Sequence, residues 1–149
     1  MSARRLAWLL TGCLLVFAPL VSALEFRSVK TSSAVLYETP ALSAKKLFVV
    51  SRYYPVEVLS TQDSWARVRD ATGSISWMPM GVLSTERILL VVSDRADVHS
   101  RGLATSPVVF SVAKNGVLQL LEAPTDGWVH VRHRDGASGY ASIKDLWGL

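Results

Sequence analysis

The chain has 149 residues, 50% of them hydrophobic and 19% charged, with 16 basic and 12 acidic side chains, a net charge of +4 and one cysteine. That length suits one domain, or two small ones if the chain divides internally. The charge is mild and scattered among apolar residues, which excludes a phosphate-binding stripe for nucleic acid, and one cysteine excludes a disulfide framework.

Residues 1–23 read as a secretory signal peptide. Met1-Ser2-Ala3-Arg4-Arg5 is a basic start, the stretch from Leu6 to Leu20 is uncharged, and Val21-Ser22-Ala23 supplies small residues for cleavage. The uncharged run falls short of the roughly 20 residues that a spanning helix needs, and Gly12 and Pro19 weaken it further. Cleavage near Ala23 delivers the mature chain to the periplasm or the medium, with 14 of the 16 basic residues retained against 12 acidic ones. It also removes Cys13, so neither a disulfide nor a thiol nucleophile is expected. Leu10-Thr11-Gly12-Cys13 is similar to a bacterial lipobox, although the residues after Cys13 are apolar where a polar tether is usual. No membrane association is expected of the mature form unless Cys13 is lipidated.

The remainder predicts short strands and no helix. Brief β-branched or aromatic runs at 47–50, 56–59, 65–69 and 75–77 are parted by Tyr54-Pro55, Thr61-Gln62-Asp63-Ser64 and Thr72-Gly73. Further runs at 108–112, 117–121, 128–133 and 138–141 are parted by Asn115-Gly116, Thr125-Asp126-Gly127 and Asp135-Gly136. Asn-Gly and Asp-Gly suit two-residue hairpins, because both central residues of a type I′ turn need positive φ. Asp63 and Asp126, each in a turn just before a tryptophan, are expected to bond their own backbone.

The two halves repeat. At an offset of 62, Ala34 matches Ala96, Leu36 matches Val98, Phe48 matches Phe110, Val56 matches Leu118 and Val58 matches Leu120. At an offset of 63, Trp65 matches Trp128, Val68 matches Val131, Arg69 matches Arg132, Gly73 matches Gly136 and Trp77 matches Tyr140. The one-residue shift falls inside a predicted hairpin loop, where insertions are tolerated.

Each copy resembles a bacterial SH3-like (SH3b) domain. The residues that carry the resemblance in copy one are Val35-Leu36-Tyr37 with Pro40, Val56-Glu57-Val58, Ser64-Trp65-Ala66-Arg67-Val68-Arg69, Gly73, Trp77 and Leu83. In copy two they are Ala96-Asp97-Val98-His99 with Gly102, Leu118-Gln119-Leu120, Gly127-Trp128-Val129-His130-Val131-Arg132, Gly136, Gly139-Tyr140 and Leu146. Two positions depart from the family pattern: Ser76 precedes the closing aromatic of copy one where glycine is usual, and His99 stands where many members have Arg or Tyr. The resemblance implies an all-β fold of two tandem small SH3-like β-barrels, at 24–84 and 88–149. It also implies a short helical turn before each closing leucine.

Alternation along 65–69 turns Ala66 and Val68 inward and leaves Trp65, Arg67 and Arg69 on the other face, where arginines can stack on the ring. Each tryptophan then either covers a sheet edge or lines a groove. The groove reading takes Tyr37, Tyr54, Trp65 and Trp77 in copy one. Copy two offers a thinner set, His99, Trp128 and Tyr140, because Gly116 stands where copy one has Tyr54. Such a groove resembles the aromatic-lined surface on which SH3 domains hold extended peptides.

No catalytic motif is present. His130 and His133, three apart on a predicted strand, face opposite sides and do not suit one metal ion. The chain is expected to be a non-catalytic cell-envelope binding module without cofactor or metal, and nucleic acid is not an expected partner. The resemblance implies a cell-wall peptide or an extended protein segment as ligand. The alternative is a rigid adaptor for an envelope protein, with no groove in use.

Only Ser84-Thr85-Glu86-Arg87 separates the copies. The next five residues, Ile88-Leu89-Leu90-Val91-Val92, are all apolar, whereas their counterparts Phe26-Arg27-Ser28-Val29-Lys30 are polar at three positions. An uninterrupted apolar run predicts a strand buried on both faces, one against its own barrel and one against copy one.

Overall fold

The computed structural model describes residues 23–149, so the expected signal peptide and the lipobox at Cys13 lie outside the described residues. Copy one supplies β1 (Glu25–Val29), β2 (Ser33–Tyr37), β3 (Lys46–Ser51), β4 (Pro55–Gln62), β5 (Trp65–Arg69), β6 (Ile75–Pro79) and β7 (Leu83–Ser84). Copy two supplies β8 (Ile88–Val91), β9 (Arg95–His99), β10 (Val108–Ala113), β11 (Val117–Leu120), β12 (Trp128–Arg132), β13 (Ser138–Ser142) and β14 (Leu146–Trp147). Short 3-10 turns, Met80–Val82 and Ile143–Asp145, precede β7 and β14. The strands form two antiparallel sheets, β3-β2-β6-β5-β4-β1-β7 and, strand for strand, β10-β9-β13-β12-β11-β8-β14.

Period-2 alternation builds each core. Ala66 and Val68 are buried between exposed Arg67 and Arg69, as Val129 and Val131 are beside His130 and Arg132. Val29, Leu36, Val56, Val68 and Met78 gather into one cluster, and Leu89, Val98, Leu118, Val129 and Val131 into another. Each fully buried side chain of this size contributes about 1.5–3 kcal/mol. A single sheet that encloses one core must curl on itself. The strand order is nonetheless linear, with β3 and β7 at the two ends of one sheet and β10 and β14 at the ends of the other. The expected barrels are therefore curled sheets rather than closed ladders.

The turns correct two expectations. The type I′ geometry sits at Asp126-Gly127, with φ of 52° and 82°, where Thr125 and Trp128 exchange N–H···O bonds of 2.8 and 3.0 Å. At Asn115-Gly116 only Asn115 has positive φ, 68°, and at Asp135-Gly136 only Gly136 does, 96°. The latter closes a three-residue loop, with His133 N donating to Ala137 O at 2.7 Å. A glycine in the left-handed region is what that loop length uses. Asp63 and Asp126 bond no backbone among the described residues; they serve by tolerating left-handed backbone, at φ of 51° and 52°. The backbone-bonding role falls to Asp70, which accepts from Thr72 N at 2.8 Å, and to Asp135, which accepts from Ala137 N at 2.9 Å.

The junction is packed. Leu89 and Val91 enter the core of copy two, while Ile88 and Leu90, 4% and 5% exposed, lie on the other face of β8, where β4 contacts it. Val92 departs from expectation: β8 ends at Val91, and Val92 is 37% exposed. Polar bonds tie the connecting segment down. Ser28 Oγ donates to Glu86 O at 2.8 Å, and Arg87 Nη2 donates to Gly148 O at 2.7 Å with its guanidinium 5.4 Å from the Phe26 ring centre.

Candidate ligand-binding site

In copy one, Tyr37 meets Trp65 edge to face at 5.4 Å and lies opposite Trp77 across the β2–β6 ladder. Tyr37 is buried and the two tryptophans are half-buried. Tyr54 stands apart. It follows β3 near Ser51, which pairs with Ser33, whereas Tyr37 lies at the other end of that ladder beside Lys46. Tyr54 packs against the core instead, and burial, then the nearby Asp70 carboxylate, raises its hydroxyl pKa. The expected groove of four aromatics is thus three. No arginine stacks on Trp65 or Trp128 among the described residues; the cation–aromatic contact falls at Arg87 and Phe26.

In copy two, His99 meets Trp128 edge to face at 5.2 Å, repeating Tyr37 and Trp65, and lies opposite Tyr140. Tyr140 stacks on His130 at 4.7 Å, with ring planes 12° apart. His130 joins the site, although in the sequence it stands out only as a histidine unsuited to share one metal ion with His133. The signal was there, because alternation puts it on the same face of β12 as Trp128. His133 points away, at an ion-pair distance of 3.1 Å from Asp135 and near Phe110.

The rings of Trp128, His130 and Tyr140 line a notch of about 300 Å³, with Arg101 and Gly102 on one side and Glu122, Ala123 and Asp126 on the other. The loop insertion opens it. β4 continues to Gln62, paired with Trp65, but β11 stops at Leu120. The extra residue and Pro124, which has no N–H to give to a ladder, carry the chain away from Trp128 before it returns at Thr125.

The opposite wall is held by hydrogen bonds. Ser106 Oγ donates to the carbonyls of Leu103 and Arg101 at 2.6 and 3.0 Å. His99 Nδ1 lies 2.9 Å from Ser106 O, and since a carbonyl only accepts, Nδ1 carries the proton. A Cβ on Gly102 would come within 3.2 Å of Trp128 Cβ, so glycine there lets this wall approach the indole.

His130 Nδ1 is buried without a hydrogen-bond partner, although Glu122 Oε1 is 3.5 Å away. That contact is an ion-pair distance lacking hydrogen-bond geometry, so this nitrogen is left unpaired and shielded behind the notch wall. Three aromatic rings and two carboxylates suit an extended segment with a side chain laid on the rings. Among the described residues, no group of three His, Cys, Asp or Glu is placed to hold a metal ion.

Two stretches of the chain, residues 32–84 and 92–148, each match a family described as Bacterial SH3 domain. Among solved structures, NlpC2 from Trichomonas vaginalis is similar at 20% identity and a TM-score of 0.39, covering 84% of this chain and 48% of that one. NlpC1 from Trichomonas vaginalis aligns at 20% identity and 0.39, covering 87% and 47%. An NlpC/P60 family protein from Bacillus cereus ATCC 10987 aligns at 15% identity and 0.37, covering 82% and 55%. This chain spans about half the length of those structures. No curated protein matches it.

Proposed function

The chain belongs to the bacterial SH3 domain family, as two copies in tandem, and from that premise we propose that it is a non-catalytic binding module of the cell envelope. Its ligand is a peptidoglycan peptide or an extended protein segment, and the notch of copy two is the primary seat. The observation that carries this reading is the notch that Trp128, His130 and Tyr140 line between two loops, with His99 set edge-on against Trp128. Copy one offers a secondary surface at Tyr37, Trp65 and Trp77.

Purified peptidoglycan sacculi test it by co-sedimentation. The wild-type protein should pellet with them, Trp128→Ala should stay largely in the supernatant, and Tyr54→Ala should behave as wild type. Truncating a true aromatic anchor costs about 2 kcal/mol or more, which is a loss of over tenfold. Equal pelleting by a folded Trp128→Ala/Tyr140→Ala variant would refute the notch. The packed junction favours a second reading, a rigid adaptor for a protein partner; that protein would remain in the supernatant with or without the substitutions.

A further inference from the structure

A second cavity, of about 760 Å³, opens between the two copies. The same two turns of each copy border it. Copy one contributes Arg52, Tyr53 and Tyr54 from the β3–β4 turn and Ala71-Thr72 from the β5–β6 turn. Copy two contributes Lys114, Asn115 and Gly116 from β10–β11 and His133-Arg134 from β12–β13. Neither copy alone makes this cleft.

Its charge has one sign. Arg52, Lys114 and Arg134 line it, no carboxylate does, and all three are exposed and take part in no ion pair among the described residues. A smaller recess sharing Tyr53, His133 and Arg134 adds Arg132 against a single acid, Glu86. Two of the nearby acids are engaged: Asp70 accepts from Thr72 and Ser74, and Asp135 accepts from Ala137 N and pairs with His133 at 3.1 Å.

Differences between the repeats explain this excess. In copy one Arg69 is neutralised by Glu57, with Nε 3.0 Å from Oε2. In copy two the residue opposite Arg132 is Gln119, so that guanidinium is left without a carboxylate. Ala71 becomes Arg134 at the equivalent turn position. Gly116 replaces Tyr54, which leaves the copy-two wall low and the cleft open. The rest of the lining mixes neutral polar side chains with apolar ones, including Val49 at 68% and Val92 at 37% exposure. Tyr53 is held there at φ 72°, a backbone conformation that is strained for an aromatic residue and one that collects at binding sites.

We propose that this inter-copy cleft is a binding site for an acidic peptide segment, whose carboxylates pair with Lys114 and Arg134 in the cleft and with Arg132 in the adjoining recess, while its apolar side chains lie on Tyr53, Val49 and Val92. A mixed apolar and cationic surface favours such a peptide over a phosphate polymer, which has no apolar groups to bury. This site is independent of the notch at Trp128.

Fluorescence anisotropy tests it on the tandem protein, with a labelled ten-residue peptide alternating glutamate and valine and its glutamine counterpart. The acidic peptide should bind saturably at low salt and weaken about tenfold or more at high salt, because the contacts are exposed charges. Lys114→Glu/Arg134→Glu should cost at least about tenfold, while Trp128→Ala changes nothing. Absence of saturable binding, equal affinity for the glutamine peptide, or indifference to the charge reversals would overturn the site. Inorganic polyphosphate that competes as well as the acidic peptide, weight for weight, would overturn the peptide assignment and mark the cleft as a general anion patch.

Discussion

Phe26, on the first strand of copy one, and Trp147, on the last strand of copy two, meet edge to face with ring centres 5.1 Å apart. The contact joins residues from opposite ends of the described chain. Arg87, from the connecting segment, covers Phe26 and bonds the carbonyl of Gly148. Phe26→Ala should therefore lower the stability of both copies, by about 2–4 kcal/mol from lost burial and ring contact. Calorimetry would show one transition moved down. A shift confined to one of two separate transitions would mean that the copies fold independently.

Leu90→Asp probes the same junction from β8. Leu90 is 5% exposed and faces away from the copy-two core, whereas Leu89 is fully buried within it. A carboxylate at 90 should destabilise the tandem by several kcal/mol, yet leave the copy-two core able to form, because the penalty lies in an unpaired charge at the junction. Leu89→Asp should abolish the fold of copy two. Denaturant unfolding followed by Trp128 and Trp65 fluorescence separates these outcomes.

Gly139→Ser places in copy two the residue that copy one carries at Ser76. It should destabilise by about 1–3 kcal/mol, as overpacking does. A Cβ at 139 would lie 2.5 Å from His99 O and 2.8 Å from Val98 Cγ1. Backbone atoms cannot yield as side chains do, so His99 and its partner Trp128 should be displaced as well. Urea midpoints and the Trp128 emission maximum check both effects.

Asp97 should give the protein part of its acid sensitivity. Its carboxyl is held below the usual range by the Ser111 hydroxyl, 2.6 Å away, and next by Arg95. A depressed pKa in the folded state favours folding above the unfolded carboxyl value of about 3.9, and that contribution fades as pH falls through the folded value. Asp97→Asn should flatten the decline of urea midpoints between about pH 6 and about pH 2. Asp135, lowered by the Ala137 N–H and then by His133, supplies part of the slope that remains. An unchanged slope in Asp97→Asn would remove Asp97 from the account.

Much of the fold was legible because it rests on local chemistry. Period-2 runs and turn residues gave the strands, and the repeat at 62 and 63 paired them between copies. Five consecutive apolar residues marked β8 as buried on two faces, missing only at Val92, where the strand ends. Turn types were read less well, because Asn115-Gly116 and Asp126-Gly127 look alike in sequence while the flanking register decides which closes as a two-residue hairpin.

The sites depended on distance through space. Tyr54 has the same composition signal as Tyr37, but the β2–β3 ladder sets them at opposite ends, and no spacing rule reveals that. His130 was visible on the Trp128 face of β12; that its Nδ1 is buried without a partner follows from the path of the 121–127 loop. The cleft between the copies was wholly a tertiary result. Two turns of copy two bring Lys114 and Arg134 together, and only the docking of copy one adds Arg52 to the same opening. Sequence determined what each strand and turn could be, through alternation and backbone preference. Packing between the copies decided which charges stand together, since that depends on contacts among residues tens of positions apart.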